Sequence, residues 1–163
     1  MKKILLLLLF FLSSPLFAQS DDQLFERLIS VDLKDGVKQE GVLSLKNQTS
    51  KPTRLVVILP GYPSVVRPVV ENNVMTSSQL TGNFLIRARR HLIDNQIATL
   101  IVDCPSNSGV KCESFYQASL QRHEDVVKLV LEVKKLQPTI QQIWLIRSEE
   151  HTSELQSRVD ISY

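Results

Sequence analysis

The stretch Arg54 to Ser64, RLVVILPGYPS, limits the fold more than any other part of the chain. Leu55 to Leu59 is an unbroken apolar run rich in β-branched residues, the pattern of a strand buried on both faces. Pro60, Gly61 and Pro63 follow at once, so the strand, near 54–60, has to stop in a tight turn. In open α/β sheets ligands gather at the carboxyl ends of the strands, and this turn occupies such an end.

The rest of the chain supplies neighbours for that strand. Before it, LISVDL and GVLSL lie between Leu28 and Leu45 on either side of Asp35-Gly36, a hairpin-turn pair, so an antiparallel pair leads in. Residues 47–53 are polar, contain Pro52 and read as a connection. Beyond the turn, the segment from Pro63 through Pro68 to Met75 reads as a loop. Thr76 and Gln79 have capping-box spacing, and Leu80, Phe84, Ala88 and Leu92 recur every fourth residue, which predicts a helix over 77–93 ended by Asn95. Ile97 to Val102 is a second buried strand, closed by Asp103.

A second amphipathic helix is predicted over 117–137. Val126, Leu129, Val130, Val133 and Leu136 form its apolar face; Glu124, Asp125, Lys128, Glu132, Lys134 and Lys135 face water. Pro138 stops it, and Ile140 to Ile146 rises into a third buried strand with Trp144 in its middle. Hairpin, strand, helix, strand, helix, strand predicts an α/β fold: a mostly parallel sheet with a leading antiparallel hairpin and helices on both faces.

The ends of the chain read differently. Residues 1–18 carry Lys2 and Lys3, an apolar core from Ile4 to Leu12, then Ser13, Ser14 and Pro15, with a cut after Ala18. This is the pattern of a secretory signal peptide, and its apolar core is too short to span a membrane. Leu16 is large for its place before the cut, so the bond itself is not fixed. No Cys stands at the cut, which argues against a lipid anchor. The mature protein is expected to be exported, periplasmic or secreted, and free of the membrane after cleavage. Export in turn bears on Cys104 and Cys112, which either bond to each other around the short loop between them or stand as two free thiols; an oxidising compartment favours the bond. A net charge of +2 with no polybasic block implies neither nucleic acid nor an anionic membrane surface as partner. The densest basic stretch, Arg87, Arg89, Arg90 and His91, is expected on a solvated helix face.

After Ile146 the composition changes to RSEEHTSELQSRVDISY, which holds a single Leu155 in its first part and would bury almost nothing as a helix. Back-translated, Arg147 to Ser157 and Ile161 to Tyr163 both resemble, in one frame, a common short-read sequencing-library adapter with a sample index between the blocks. Residues 147–163 are therefore set aside as a non-native, adapter-derived tail, leaving 19–146 as a partial domain of an expected longer product. Glu149, Glu150 and His151 then carry no metal or acid–base role.

Within about 26–146 the order of elements resembles the amino-terminal half of the α/β-hydrolase fold: the leading hairpin, the strand ending in ILPGYPS, a helix, the strand IATLIVD, a helix carrying RHEDVVKLVLEV, and the strand IQQIWLI. In that family the last of these strands runs into G-x-S-x-G, the turn that presents the nucleophilic Ser, with the acid and the His further along the chain. Here the adapter-like tail begins at that point, so the triad is absent and no catalytic residue is assigned. The resemblance implies half of an oxyanion hole, one backbone N–H being drawn from the loop after the organising strand. Gly61 matches the family's loop Gly, Pro60 stands where a His is usual, Pro63 has no N–H, and the donor implied is Tyr62. Against this stands a Gly61 that merely allows a tight turn.

Other residues compete for a role. His123 and Asp125 sit at the start of a packing helix with no Ser or Cys predicted within reach, so solvated or helix-end roles are expected. Asp103 ends a strand on the ligand side and is expected to fix the adjoining loop, since the family's acid comes after the nucleophile. Cys104 as a thiol nucleophile with His123 as base would need a reduced Cys in an exported protein. A single Gly after the strand does not make a dinucleotide site, no metal-ligand spacing remains once the tail is removed, and no cofactor is expected. Two functions stay open: the amino-terminal fragment of an exported serine hydrolase acting, at full length, on a small-molecule ester or acyl substrate, or an exported non-catalytic α/β module with the 61–66 and 104–112 loops as a ligand rim.

Overall fold

A computed structural model of the chain describes residues 23–148. The expected leader, the cut after Ala18 and all of the tail beyond Ser148 lie outside the described residues. In chain order the elements are β1 (Phe25–Asp32), β2 (Lys38–Leu45), β3 (Arg54–Leu59), β4 (Val69–Glu71), β5 (Val74–Ser77), α1 (Phe84–Leu92), β6 (Ile97–Val102), α2 (Ser114–Gln117), α3 (Leu120–Leu136) and β7 (Gln142–Arg147).

The Asp35-Gly36 pair makes the expected hairpin. Both residues have positive φ, and β1 pairs with β2 from Phe25↔Leu45 to Asp32↔Lys38. The hairpin is not a lead-in lying apart from the parallel strands, however. β2 inserts beside β6 and runs antiparallel to it from Gly41↔Val102 to Ser44↔Thr99. The five-stranded sheet has the order β1-β2-β6-β3-β7, with β6 and β7 parallel to β3 on its two sides. The expectation of a mostly parallel sheet is corrected to a mixed one, in which two pairings are parallel and two antiparallel.

Helices do cover both faces. Strand alternation sends Leu55 and Val57 to the face where Leu43, Leu45, Ala98, Leu100 and Val102 meet Leu129, Val130 and Val133 of α3. It sends Val56 and Ile58 to the other face, where with Ile101 they meet Ile86 of α1. Gly41 lets these layers close up: a Cβ there would sit 2.5 Å from the Ile101 carbonyl oxygen and 2.9 Å from Leu129 Cδ2.

Four local expectations are corrected. Val69–Glu71 and Val74–Ser77 pair as a small hairpin where a loop and a helix start were expected, because Asn72 and Asn73 both take positive φ and turn the chain. Helix α1 consequently starts late, capped by Asn83, whose side chain accepts from the Leu85 and Ile86 amides; its buried face is Ile86 and Arg89, while Phe84 is exposed. Arg89 is buried rather than solvated because its Nε donates to Glu26 Oε1 at 2.9 Å across the layer, and Glu26 also accepts from Ser44 Oγ and the Met75 amide. In α3, which is capped by Ser119, Asp125 is buried and not wet, since Tyr116 and Gln121 donate to it.

The last strand departs furthest from expectation. Ile140 is buried, but β7 is an edge strand, and Trp144 and Leu145 are each 45% exposed. Among the described residues nothing pairs with its outer edge. Arg54 lies over the Trp144 ring at 5.9 Å, which shields part of one face. Among the described residues no helix is long and apolar enough to cross a membrane.

Candidate functional site

The connections of the parallel strands diverge around β3. From β3 the chain passes through α1 to β6 on one side, and from β6 through α3 to β7 on the other. The carboxyl end of β3 is thus a topological switch point, the place where open α/β sheets leave a crevice. Pro60, Gly61, Tyr62, Pro63 and Ser64 occupy it.

This turn is built tightly. The Ser64 amide donates to the Gly61 carbonyl at 2.8 Å, and the Ser64 hydroxyl donates to the Pro60 carbonyl at 2.7 Å. Ser64 has φ 61° and is buried, a left-handed backbone that L-residues adopt at a cost of about 1–2 kcal/mol. Its hydroxyl is therefore occupied in holding the turn rather than free to react. Gly61 is buried and donates its N–H to Ser148 Oγ at 2.7 Å, so the chain leaving β7 passes directly against the turn. Tyr62 is half exposed, and among the described residues its N–H meets no acceptor.

Two latches fix the turn and the segment after it. The first is Asp103, wholly buried at the end of β6. Its Oδ1 accepts from the Val66 amide at 2.6 Å and the Cys104 amide at 2.7 Å; its Oδ2 accepts from the Arg67 amide at 3.0 Å and the Arg67 guanidinium at 3.1 Å. The same guanidinium donates to the carbonyls of Cys104, Pro105 and Ser108, at 3.0, 3.3 and 2.6 Å. Asp103 fixes the adjoining loop, as expected, and Arg67 is the partner that nothing in its own surroundings announced.

The second latch is a Cys104–Cys112 disulfide with Cα atoms 6.0 Å apart, within the ordinary range for such bonds. The bond leaves Cys104 no thiol, which removes the Cys104–His123 pairing; His123 is exposed on α3. The Cys112 amide donates to the Pro63 carbonyl at 2.8 Å. Gln117 ties both sides: its Nε2 donates to the Cys112 carbonyl at 2.8 Å, and its Oε1 lies 3.2 Å from Ser64 Oγ. Val65 packs on the two cysteines.

Two depressions flank this rim. One, of about 560 Å³, lies between the β1–β2 turn and the disulfide loop and contains Tyr116. Burial, and then donation to Asp125, push the Tyr116 hydroxyl up to about 12, so it stays protonated and donates at neutral pH. The other, of about 680 Å³, is an apolar groove between α3 and the β3–β7 edge, lined by Val57, Leu59, Val126, Val130, Ile143 and Leu145. Among the described residues no group of three or more His, Cys, Asp or Glu could hold a metal ion. No protein-family model matches the chain, and no curated protein sequence matches it.

Proposed function

We propose that the chain is the amino-terminal part of an exported serine hydrolase of the α/β-hydrolase type, acting at full length on a small-molecule ester or acyl substrate. One observation carries this reading: the Pro60–Ser64 turn sits at the switch point with the Tyr62 N–H unaccepted among the described residues, and β7 runs parallel to β3 with Ile146 opposite Ile58, so the chain leaves β7 beside that turn. That is where a nucleophile presented after β7 would need an oxyanion donor. Tyr62 supplies that donor, Pro60, Gly61 and Pro63 shape the loop, and the fixed turn spares the reorganisation that a loose amide would require in the transition state. The order of hairpin, strands and helices supports the same assignment. So does the bare apolar groove beside β7, which a continuing chain would cover. The chain itself is inert in this reading, because the covalent step needs a nucleophile, base and acid that lie beyond residue 146.

The test is the genomic sequence downstream of codon 146. A G-x-S-x-G within the next few codons is expected. A stop codon, or the seventeen terminal residues encoded unchanged and in frame, would overturn the enzyme and leave the alternative. That alternative, a non-catalytic binding module, draws on the way the 61–66 and 104–112 loops are stitched into one continuous rim.

A further inference from the structure

Resting on the proposal that the Pro60–Ser64 turn is the reacting site, we infer that the Cys104–Cys112 disulfide regulates it: the oxidised protein holds the turn in shape and the reduced protein releases it. The two latches act on different halves of the same segment. Asp103 grips the amides of Val66 and Arg67. The turn itself, from Gly61 to Ser64, is gripped through Cys112, whose amide holds the Pro63 carbonyl, and through Gln117, which bridges Cys112 to Ser64.

Cys112 is held by its sulfur and by its two backbone hydrogen bonds, to Pro63 and to Gln117, and the sulfur is its one covalent tie to the rest of the rim. The loop leading to it starts out well anchored, since Arg67 binds the carbonyls of Cys104, Pro105 and Ser108. Beyond Ser108 the anchoring stops. The backbone of Gly109, Val110 and Lys111 makes no hydrogen bond among the described residues, and Val110 is 87% exposed. Cutting the S–S bond therefore frees the far half of the loop while Arg67 keeps the near half. The Pro63 carbonyl then loses a firmly placed donor, one residue from the Tyr62 N–H.

The reductant is a dithiol. Its thiolate attacks one cysteine sulfur to form a mixed disulfide, and its second thiol displaces that cysteine and closes a cyclic disulfide. Two electrons and two protons pass to Cys104 and Cys112, which end as thiols. Both cysteines are buried, so the exchange proceeds through opening of the exposed 106–111 loop. The site is thereby competent in an oxidising compartment and slack in a reducing one.

The test is residue-resolved hydrogen exchange on the chain in three forms: oxidised, reduced in excess dithiothreitol, and with Cys104→Ser and Cys112→Ser together. The Ser64 and Cys112 amides should exchange at least about tenfold faster in the last two forms, a local opening. Val66 and Arg67, held by Asp103, and Leu100 and Ile101 in β6 should keep their oxidised rates. Unchanged rates at Ser64 and Cys112 would sink the inference. So would an equal acceleration at all six amides, which makes the disulfide a staple of the whole fold. If the double variant does not fold, the reduced wild-type chain decides alone by the same criteria. The rates are read without substrate, so they stand whichever codons lie beyond 146, and loss of the hydrolase reading leaves the coupling itself measurable.

Discussion

Asp103→Asn is nearly isosteric, yet it should be among the most damaging single changes in this chain. All four groups around the carboxylate are donors, two on each oxygen. An asparagine offers one acceptor oxygen, and its NH₂ must face the other pair. In one orientation the Val66 and Cys104 amides lose their acceptor. In the other the Arg67 amide and guanidinium do, although the guanidinium keeps three carbonyls. Each buried donor left unpaired costs about 1–3 kcal/mol, and the lost charge–guanidinium bond falls in the same range, so the milder orientation costs about 2–6 kcal/mol. That is a large share of the about 5–15 kcal/mol that holds a domain together. In urea, at about 1–3 kcal/mol per M for a chain of this size, the midpoint should fall by at least about 0.7 M. The Val66 amide should at the same time lose protection against hydrogen exchange. A midpoint lowered by less than about 0.3 M, with Val66 still protected, would refute the assignment of Asp103 as the principal latch of the 66–67 segment.

Two other changes probe the sheet and the rim. Gly41→Ala gains about 0.5–1 kcal/mol of strand preference but drives a Cβ to 2.5 Å from the Ile101 carbonyl, which as backbone cannot swing aside; overpacking of about 1–3 kcal/mol wins, and calorimetry should show a melting temperature several degrees lower. A melting temperature that stays or rises would mean that β2 and β6 do not approach as described. Tyr116 has a folded-state pKa of about 12 against 10.0 in the open chain, so its contribution to stability is complete below pH 10 and is lost as pH climbs through 12. Denaturant titrations between those pH values should therefore show a steeper loss for the wild-type chain than for Tyr116→Phe, and equal slopes would contradict the burial of the Tyr116 hydroxyl and its hydrogen bond to Asp125.

The sequence makes legible whatever a local pattern determines. The β-branched run at Leu55–Leu59 has to be a buried strand, and Asp35-Gly36 has to turn a hairpin. Charged residues with distant partners are not legible in this way. Arg89 reads as solvated within its own helix, and only Glu26, sixty-three positions earlier, makes it a core residue. Arg67 shows no motif at all, because its partners are one carboxylate and three carbonyls that the fold brings to it. The expected start of helix α1 is too early because Thr76 and Gln79 mimic a capping box, while the signals that govern the segment are the turn residues Asn72-Asn73 and the true cap Asn83.

β7 misleads for a different reason. Its apolar run is that of a strand with cover on both faces, and the pattern is the same whether or not the cover is described. In the described structure Leu145 stands half exposed in an apolar groove and Trp144 half exposed on the opposite face, although at about 25 cal/mol per Å² their burial would be worth on the order of 1 kcal/mol each. The rim above is the reverse case: the amides of Gly61, Ser64, Val66, Arg67, Cys104 and Cys112 all have acceptors, while among the described residues those of Tyr62 and Val65 meet none, and of these two only Tyr62 is exposed. The two unmet demands, an apolar cover and an acceptor for the Tyr62 amide, lie near the carboxyl end of β7, where Ile146 stands opposite Ile58 just before the turn. Under the proposed function a single continuation meets both: its first turn brings the nucleophile to Tyr62, and the helix beyond that turn lies down on the groove.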